Sequence, residues 1–470
     1  MVCGESRIAC QARRCFKGGF ARKARRPEEI VMTENMKVSA EDQRLIDAIQ
    51  KKHGKSVQEI RQQREKRLWD AVELKVPDRV PVIFGGTFFA CKYAGIPYSA
   101  AYYDTVAWKR AFKKMIVDFD PDSYGWEPRE SGVALEALAS NYTRWPGGTL
   151  PPDVPFQIAE KEYMKEDEYD LFLTDPTDYT MRYLLPRVYG ALEPLAKLPP
   201  LLGFGAGVEP IARMLASPDF EPMVKAMKKA GDAEAERERV LSTMVKEMAA
   251  LGFAEPLPAR GGVMPPFSGF SNTFRTFNGV VRDMFRQPEK LKAALQLMLD
   301  FRIARAVPAV KIPGHPTLGS SGEAHRVSDE FFSNKQFEEF VWPYWKRAME
   351  KTYELGYEIV SMFFEGRRDK QLHYFTQFPK RSMLIRFAET DIFRAKEMLG
   401  DKACIMGNVP IAMLQVASPS VVEEYCKKLI EKVGKNGGFI LRASTDFTQE
   451  ARPENVKAMI DSAEKYGRYY

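Results

Sequence analysis

Residues 380–410, KRSMLIRFAETDIFRAKEMLGDKACIMGNVP, contain two short apolar runs separated by a stretch with helical spacing. The runs SMLIRF and KACIMGNVP have the length and the turn-flanked ends of buried strands. DIFRAKEMLG between them has the pattern of an amphipathic helix. A strand, a helix and a strand in this order predict two parallel strands joined by a right-handed crossover.

The same alternation continues on both sides of this stretch. YEIVSMFFEG (357–366) precedes it, GGFILRAST (437–445) follows it, and VPDRVPVIFGG (76–86) is typical of an earlier buried strand. The chain contains several such units and does not begin them with the Gly-rich motif of a dinucleotide-binding fold. This pattern favours a sheet that closes into a barrel over an open sheet. We therefore predict an α/β protein with a (βα)8 TIM-type barrel and an N-terminal helical extension. In such a barrel the chemistry lies just after the strands.

Three regions are predicted along the chain. Residues 1–38 form a basic extension that we expect to be disordered, and residues 39–76 form the N-terminal helices. The helices are indicated by capping signals at Ser39 and at Ser56, the latter followed three residues later by Glu59. Residues 77–470 form the barrel.

Charge and composition exclude several classes of protein. Residues 1–26 carry eight Arg or Lys against one Glu, which accounts for the net charge of +7. The neutral remainder offers no broad positive surface, so we expect no nucleic-acid partner. The chain contains no apolar run of about 20 residues, no secretory signal and no paired-cysteine spacing. These features predict a cytoplasmic enzyme with no membrane partner, and they leave the oligomeric state open.

Charged residues lie at or just after the ends of three predicted strands, YEIVSMFF, SMLIRF and GGFILRAST. Alternation along SMLIRF turns Arg386 toward the inside of the barrel, where a guanidinium needs an anion. That anion is a substrate carboxylate, or else Glu365 or Glu389 in a structural ring of ion pairs. Paired carboxylates beside an Arg can serve as general acid or base. The strand-end candidates are Glu365, Arg367, Arg386, Glu389, Asp391, Arg442 and Asp446.

Four further residues complete the candidate site. His325 lies on a loop that enters a helix and is a candidate general acid, although a surface position explains it as well. The Asn408 amide could orient a substrate oxygen or form a turn with Gly407. Phe364 and Phe387 belong to a group of aromatic residues near the loop starts that suits a flat, carboxylated ligand. Catalytic roles are assigned to Glu365, Glu389, Asp391, Asp446 and His325, and substrate-binding roles to Arg386, Arg367, Asn408, Arg442, Phe364 and Phe387.

Several segments resemble the uroporphyrinogen decarboxylase superfamily, which also contains corrinoid-linked and coenzyme M methyltransferases. They occur in order between Pro77 and Tyr470. The resembling segments are RTFNGVVRDMFRQPEKL (275–291), SDEFFSNKQFEEFVWPYWKRAME (328–350), CIMGNVP (404–410), GGFIL (437–441) and ARPENVKAMIDSAEKYGRY (451–469). The resemblance implies the barrel fold. It leaves the reaction open, because the superfamily supports several chemistries on one fold.

The sequence departs from the family patterns at two places, and both departures bear on which branch of the superfamily it resembles. The decarboxylases carry an RQAGRY-like segment after the first strand, whereas residues 85–98 read GGTFFACKYAGIPY with Lys92 as the only charge. The methyltransferases hold zinc through a His-x-Cys and a late Cys, whereas this chain has Arg386 and Thr445 near those positions. We therefore expect a zinc-less branch with no metal site.

The favoured hypothesis is transfer of a methyl group from a small carboxylated or aromatic donor to a corrinoid held by a separate protein, with no cofactor bound tightly to this chain. The first alternative is a cofactor-free decarboxylase of the type that names the superfamily. The second alternative is a barrel that binds a ligand without catalysis.

Overall fold

The strands are short, and most of the residues in them are buried. The computed structural model describes residues 39–199, 209–259, 261–323, 325–446 and 449–469. The strands are β1 (Ile83–Gly85), β2 (Ser123–Gly125), β3 (Thr143–Arg144), β4 (Gln157–Ile158), β5 (Leu318–Glu323), β6 (Ile359–Phe364), β7 (Met383–Phe387), β8 (Ala403–Val409) and β9 (Phe439–Ala443).

The largest sheet contains five parallel strands in the order β5-β6-β7-β8-β9. Its register places Arg386 of β7 beside Phe363 of β6 on one side and Met406 of β8 on the other. A helix separates each strand from the next, as parallel pairing requires. The prediction of parallel strands joined by helices is confirmed for this half of the chain.

Single contacts extend the parallel arrangement beyond this sheet. β1 and β2 pair in parallel, and Val82, just before β1, forms a parallel bridge with Leu441 of β9. Ser123 of β2 forms another with Ala254. At the opposite edge, the Ser320 N–H of β5 donates to the Gly261 carbonyl at 2.9 Å. β3 and β4 form a separate antiparallel pair.

Helices cover the outer faces of the strands and fill the connections between them. The α-helices are α1 (Ala40–His53), α2 (Val57–Val72), α3 (Thr87–Ala94), α4 (Ala100–Tyr103), α5 (Thr105–Phe119), α6 (Gly132–Ala137), α7 (Tyr169–Thr174), α8 (Pro176–Tyr179), α9 (Leu185–Val188), α10 (Glu209–Leu215), α11 (Glu221–Leu241), α12 (Met244–Ala250), α13 (Pro266–Gly269), α14 (Thr276–Arg286), α15 (Pro288–Arg305), α16 (Asn334–Phe340), α17 (Trp342–Glu354), α18 (Leu372–Phe375), α19 (Ile392–Leu399), α20 (Ile411–Val416), α21 (Pro419–Lys432) and α22 (Pro453–Tyr466). Two π-helical turns, Thr180–Leu184 and Phe270–Arg275, and a 3₁₀ helix, Gly190–Lys197, complete the list.

Alternation along the strands separates two buried clusters. One face of the sheet carries the inner cluster, which includes Ile359, Leu384, Met406 and Ile440. Helix α2 packs against this cluster through Leu68 and other apolar residues. The opposite face packs against the helices in a much larger outer cluster. The charged positions that continue the inward-facing register therefore lie on the same face as the inner cluster.

A buried ion network ties α2 to the first strands. The Asp122 carboxylate is fully buried, and it accepts from the guanidinium groups of Arg67 and Arg79 and from the Val82 N–H. Arg67 belongs to α2, whose start carries the capping box predicted at Ser56.

The described chain divides into two units. Leu45–Tyr470 form one of them, and the other ends at Arg44. Among the described residues, no helix combines the length and the apolar character needed to cross a membrane. The predicted extension, residues 1–38, lies outside the described residues.

Candidate active site

A cavity of about 480 Å³ lies at the carboxyl ends of β2, β6, β7 and β9. The side chains around it come from strand ends and from the loops that follow them. They are Glu127, Arg129, Tyr142, Phe156, Ile158, Asn272, His325, Arg326, Phe363, Glu365, Arg386, Thr445 and Asp446. Four of the eleven residues assigned from the sequence line it, namely His325, Glu365, Arg386 and Asp446. Residues from widely separated parts of the chain thus converge at one place.

Two guanidinium groups share one carboxylate at the floor of this cavity. Arg386 Nη1 donates to Asp446 Oδ2 at 2.6 Å, and Arg442 Nη2 donates to Asp446 Oδ1 at 2.7 Å. The Arg386 and Asp446 side chains are each only 11% exposed. Although burial opposes it, the charges of Arg442 and Arg386 hold the pKa of Asp446 well below its usual range. Asp446 is therefore ionised, and the cluster keeps an excess of one positive charge.

A histidine and a glutamate form a second ion pair at the cavity wall. His325 Nδ1 lies 2.8 Å from Glu365 Oε2, and the imidazole is 29% exposed. The hydrogen bond from His325 lowers the pKa of Glu365, so this carboxyl is ionised at neutral pH. Such a pair can hold a transferable proton at the edge of the cavity.

Arg129 and Arg326 add cationic groups to the rim. The Arg129 guanidinium lies over the Phe156 ring at 4.2 Å from its centroid and donates to Glu127 at 2.9 Å. Arg326 pairs with Glu160 at 2.7 Å. The cavity therefore combines aromatic surface with cationic groups.

Arg368 holds the loops that carry the His325–Glu365 pair. Its guanidinium is fully buried and donates to the Val327 carbonyl and to Gln371 Oε1, both at 2.8 Å. Its backbone N–H donates to the Thr390 hydroxyl. The loop after β6 is thereby attached to the loop after β5 and to the loop after β7.

The two phenylalanines assigned to the site do not reach the cavity. Phe364 and Phe387 are fully buried and contact each other in the outer cluster, at 5.3 Å between ring centroids. Residue 364 faces the helices because Phe363, one position earlier, faces the cavity. The expected position of Phe364 in the site is thereby corrected, because the cavity is lined by Phe363, whose ring centroid lies 5.0 Å from the Arg386 guanidinium carbon.

Five other assigned residues also lie outside the cavity lining, and one of them, Arg442, is connected to it through its pair with Asp446. Asn408 is buried and donates to the carbonyls of Ala388 and Thr390, so it holds the loop after β7. Asp391 caps α19 by accepting from Phe393 N–H and Arg394 N–H. Glu389 and Arg367 are exposed. The expected support of Arg386 by Glu365 or Glu389 is likewise corrected, because Asp446 is its carboxylate partner.

The sequence interpretation did not include several residues that line the cavity. Glu127 is the last residue of the predicted strand DSYGWE, Arg129 lies two positions after it, and Arg326 is adjacent to His325, so position at the end of a strand was a signal that could have found them. Tyr142, Phe156 and Ile158 come from the β3–β4 pair, for which the sequence carried no clear periodic pattern.

The segment after β1 contributes buried aromatic residues and one distant cation. Phe88 and Phe89 belong to the outer cluster, and Lys92 pairs with Glu450 at 3.2 Å. Within the part of the chain that the structure describes, His, Cys, Asp and Glu side chains form no group of three that could hold a metal ion.

Comparisons with known proteins place these features in a family. The sequence model of the family described as uroporphyrinogen decarboxylase (URO-D) matches residues 170–466. Uroporphyrinogen decarboxylase of Methylococcus capsulatus is 24% identical over 201 residues, which are 41% of this chain and 53% of that protein. That of Pseudoalteromonas atlantica is 31% identical over 80 residues, 17% of this chain and 22% of its own length.

These two matches span 53% and 22% of the relatives' own lengths. Among solved structures, a methyltransferase from Methanosarcina mazei superposes with a TM-score of 0.49 and 14% identity, covering 86% of this chain and 98% of that one. The family match covers more than half of the chain and includes β5 to β9. The chain therefore belongs to the uroporphyrinogen decarboxylase (URO-D) family.

Proposed function

We propose that this chain is an enzyme that binds a small carboxylated substrate and decarboxylates it by proton transfer. The observation that carries the proposal is the placement of the His325–Glu365 pair and the Arg386–Asp446–Arg442 cluster around one cavity. Family membership and the activity for which the relatives are named support decarboxylation in particular.

The fold that would support this chemistry is a closed barrel. We propose that the parallel segments complete a (βα)8 barrel, with β1 and β2 joined to β9 through Val82 and the Gly261 segment joined to β5. Closure would bring the ends of β2 and β5 to the same opening as those of β6, β7 and β9. Active sites of such barrels occupy that end.

The site residues suggest a division of roles. Arg386 would bind a carboxylate of the substrate through N–H groups not engaged by Asp446, and Phe363 would support a flat apolar body beside it. Loss of carbon dioxide breaks the carbon–carbon bond and leaves its electron pair on the substrate. If the lost carboxyl is joined to a substrate ring through one saturated carbon, the ring would delocalise that pair, and His325 would then supply the proton that forms the new C–H bond.

The substrate should carry fewer carboxylates than uroporphyrinogen. The segment after β1 offers only Lys92, whose ammonium is already paired with Glu450. Among the described residues, the arginines that line this cavity are Arg129, Arg326 and Arg386. One or two carboxylates on an aromatic body match this distribution.

Methyl transfer is the second candidate function, and the His325–Glu365 pair favours it as well. A corrinoid on a separate protein would supply a cobalt(I) acceptor for the methyl group. The part of this chain would be to bind a methyl donor at Arg386 and to protonate its leaving oxygen through His325.

The test is a two-armed assay with the purified protein. One arm supplies aromatic and heteroaromatic acids labelled at the carboxyl carbon and measures labelled carbon dioxide, together with solvent deuterium in the product. The other supplies methoxylated acids with a cobalt(I) corrinoid and measures its alkylation spectroscopically. Release of labelled carbon dioxide that disappears in Arg386→Leu supports decarboxylation. Alkylation of the corrinoid without release of carbon dioxide would overturn decarboxylation in favour of methyl transfer. Binding of an acid without either product would indicate a barrel that binds a ligand without catalysis.

A further inference from the structure

A second, smaller cavity lies on the amino-terminal side of Arg386. We call it the inner chamber, and its volume is about 190 Å³. Ser361 and Leu384 line it, two positions before Phe363 and Arg386 along their strands. Arg386 lines both cavities, and Arg442 lines the inner chamber. The two guanidinium groups thus lie at the boundary between the active-site cavity and the interior of the sheet.

The N–H donors of these two guanidinium groups outnumber the hydrogen-bond acceptors that the surrounding described residues offer them. Arg442 Nη1 faces the Met406 thioether at 3.5 Å, which is a weak acceptor. Arg386 Nη2 makes a long hydrogen bond of 3.3 Å to the Ala443 carbonyl. Within the described residues, the buried Nε of each group has no hydrogen-bond acceptor. Buried donors in this state are rare in folded proteins and indicate a missing partner.

The charges around the chamber point to the sign of that partner. Among the described residues, Asp446 is the carboxylate that pairs with both arginines. Burial and the neighbouring charge of Arg442 lower the pKa of Arg386, so the guanidinium is held at an energetic cost. An anion in the chamber would balance the second positive charge and use the spare donors.

We infer that the inner chamber is a binding site for a small carboxylate group, held by Arg386, Arg442 and the Ser361 hydroxyl. A protein cavity of about 150 Å³ accommodates benzene, so the 190 Å³ of the inner chamber are sufficient for a formate- to acetate-sized anion. The carboxylate could be a free acid or the head of a substrate whose body remains in the larger cavity. If it is the head of a substrate, the inference rests on the proposed function, and the carboxylate is the part of the substrate that enters the inner chamber.

The test measures binding of sodium formate to the full chain, without any assay of turnover. Ionic strength is held constant with sodium gluconate, and affinity is measured by titration calorimetry and by the rise in melting temperature. We expect saturable binding of one formate per chain. Arg442→Met should weaken it at least tenfold, because the variant removes one cation and leaves Asp446 paired with Arg386. Ser361→Leu, which fills the chamber, should abolish it.

Ser361→Ala is the matched control for volume, since it removes the hydroxyl and keeps the space. It should bind formate within severalfold of the wild type. If Ser361→Leu fails to fold, Arg442→Met alone decides. Absence of formate binding, or equal binding by the wild type and Arg442→Met, would overturn the inference.

Benzoate distinguishes the two sources of the carboxylate. Displacement of formate by benzoate assigns the chamber to a substrate head group, and simultaneous binding assigns it to a free acid. Because no step of this test requires carbon dioxide release, failure of the decarboxylation assay and failure of the anion site can be told apart.

Discussion

The carboxylate partner of Arg386 is Asp446, and Asp446 also pairs with Arg442. When Arg386 is removed, Asp446 still pairs with Arg442, so no buried carboxylate loses its compensation. The structural cost of losing Arg386 should therefore be small compared with the loss of ligand binding.

For Arg386→Leu we expect substrate affinity to fall by about 10- to 100-fold, as for loss of a hydrogen bond to a charged group. Arg386→Lys should retain part of the affinity, because it keeps the charge but loses the planar fork. The measurements are substrate affinity and melting temperature. A sharp drop in melting temperature with normal affinity would show that Arg386 is purely structural.

Glu365 should set the acidic limit of activity. Its pKa is lowered by the hydrogen bond from His325, so the pair persists down to pH values below the usual 4.5 of a glutamate. As the pH falls through this lowered pKa, Glu365 becomes protonated and the pair is lost. Glu365→Gln should lack this acid limb and reduce kcat by about 100-fold. The exposed variant Glu431→Gln is the control, and a wild-type acid limb above pH 5 would contradict the assignment.

The key side chains of the site could be found from position after a strand, but their pairing could not. Asp446, Glu365, His325 and Arg386 are all sequence candidates, yet Glu389 follows its strand just as Asp446 does and remains exposed. Which carboxylate turns inward depends on the path of each loop after its strand. That path is set by tertiary contacts rather than by local pattern.

At the scale of elements, Arg368 links the loop after β6 to the loop after β5. Arg368→Met would remove the donor to the buried Gln371 Oε1 and one of the two side-chain donors to the Val327 carbonyl. An unsatisfied buried group costs about 1–3 kcal/mol, and we expect a loss of stability of that size. Urea unfolding measures it. Lys370→Met, on the exposed face of the same loop, should leave the unfolding midpoint unchanged.

Asp391 acts on a helix rather than on the substrate. Its carboxylate caps α19, and loss of a cap costs about 1 kcal/mol. Asp391→Ala should therefore lower the free energy of unfolding by about that amount and leave kcat within twofold of the wild type. A large loss of kcat at unchanged stability would restore the catalytic role assigned from the sequence.

Strands such as β7 and β8 were predictable because each is a short apolar run between polar turns. β3 and β4 were not, since two-residue strands carry no periodicity. They nevertheless bring Ile158 to the cavity. The part of the site that they provide was therefore invisible in the sequence.

For the molecule as a whole, the Asp122 network should dominate the response to mutation near α2. Asp122→Asn leaves Arg67 and Arg79 beside a neutral group in a fully buried position. Removing one partner of a buried ion pair typically costs about 3–5 kcal/mol, and we expect that loss in urea unfolding. Asp461→Asn, which breaks an exposed pair with Lys457, should cost less than about 1 kcal/mol.

Acid should destabilise the folded chain through several such carboxyls. Although burial opposes it, hydrogen bonds from Arg187 lower the pKa of Glu168 to about 2, and the charges of Arg79 and Arg67 lower that of Asp122. Carboxyls with lowered pKa values stabilise the fold above the unfolded-state value of about 4. That contribution is lost as the pH falls from about 4 toward 2. Urea midpoints at pH 7, 4 and 3 should be similar between the first two and lower at the third.

The bridge between Val82 and Leu441 joins the first strand segment to the last across more than 350 positions of the chain. The Val80 N–H also donates to the Gly467 carbonyl, close to the end of the described residues. On a translating ribosome, the emerging β1 has β2 as a neighbour long before β9 exists. One edge of β1 must therefore wait until β9 has been synthesised and has left the ribosome. A nascent chain stalled before Phe439 should remain bound by chaperones that recognise open strand edges, because the residue that closes that edge has not yet been synthesised.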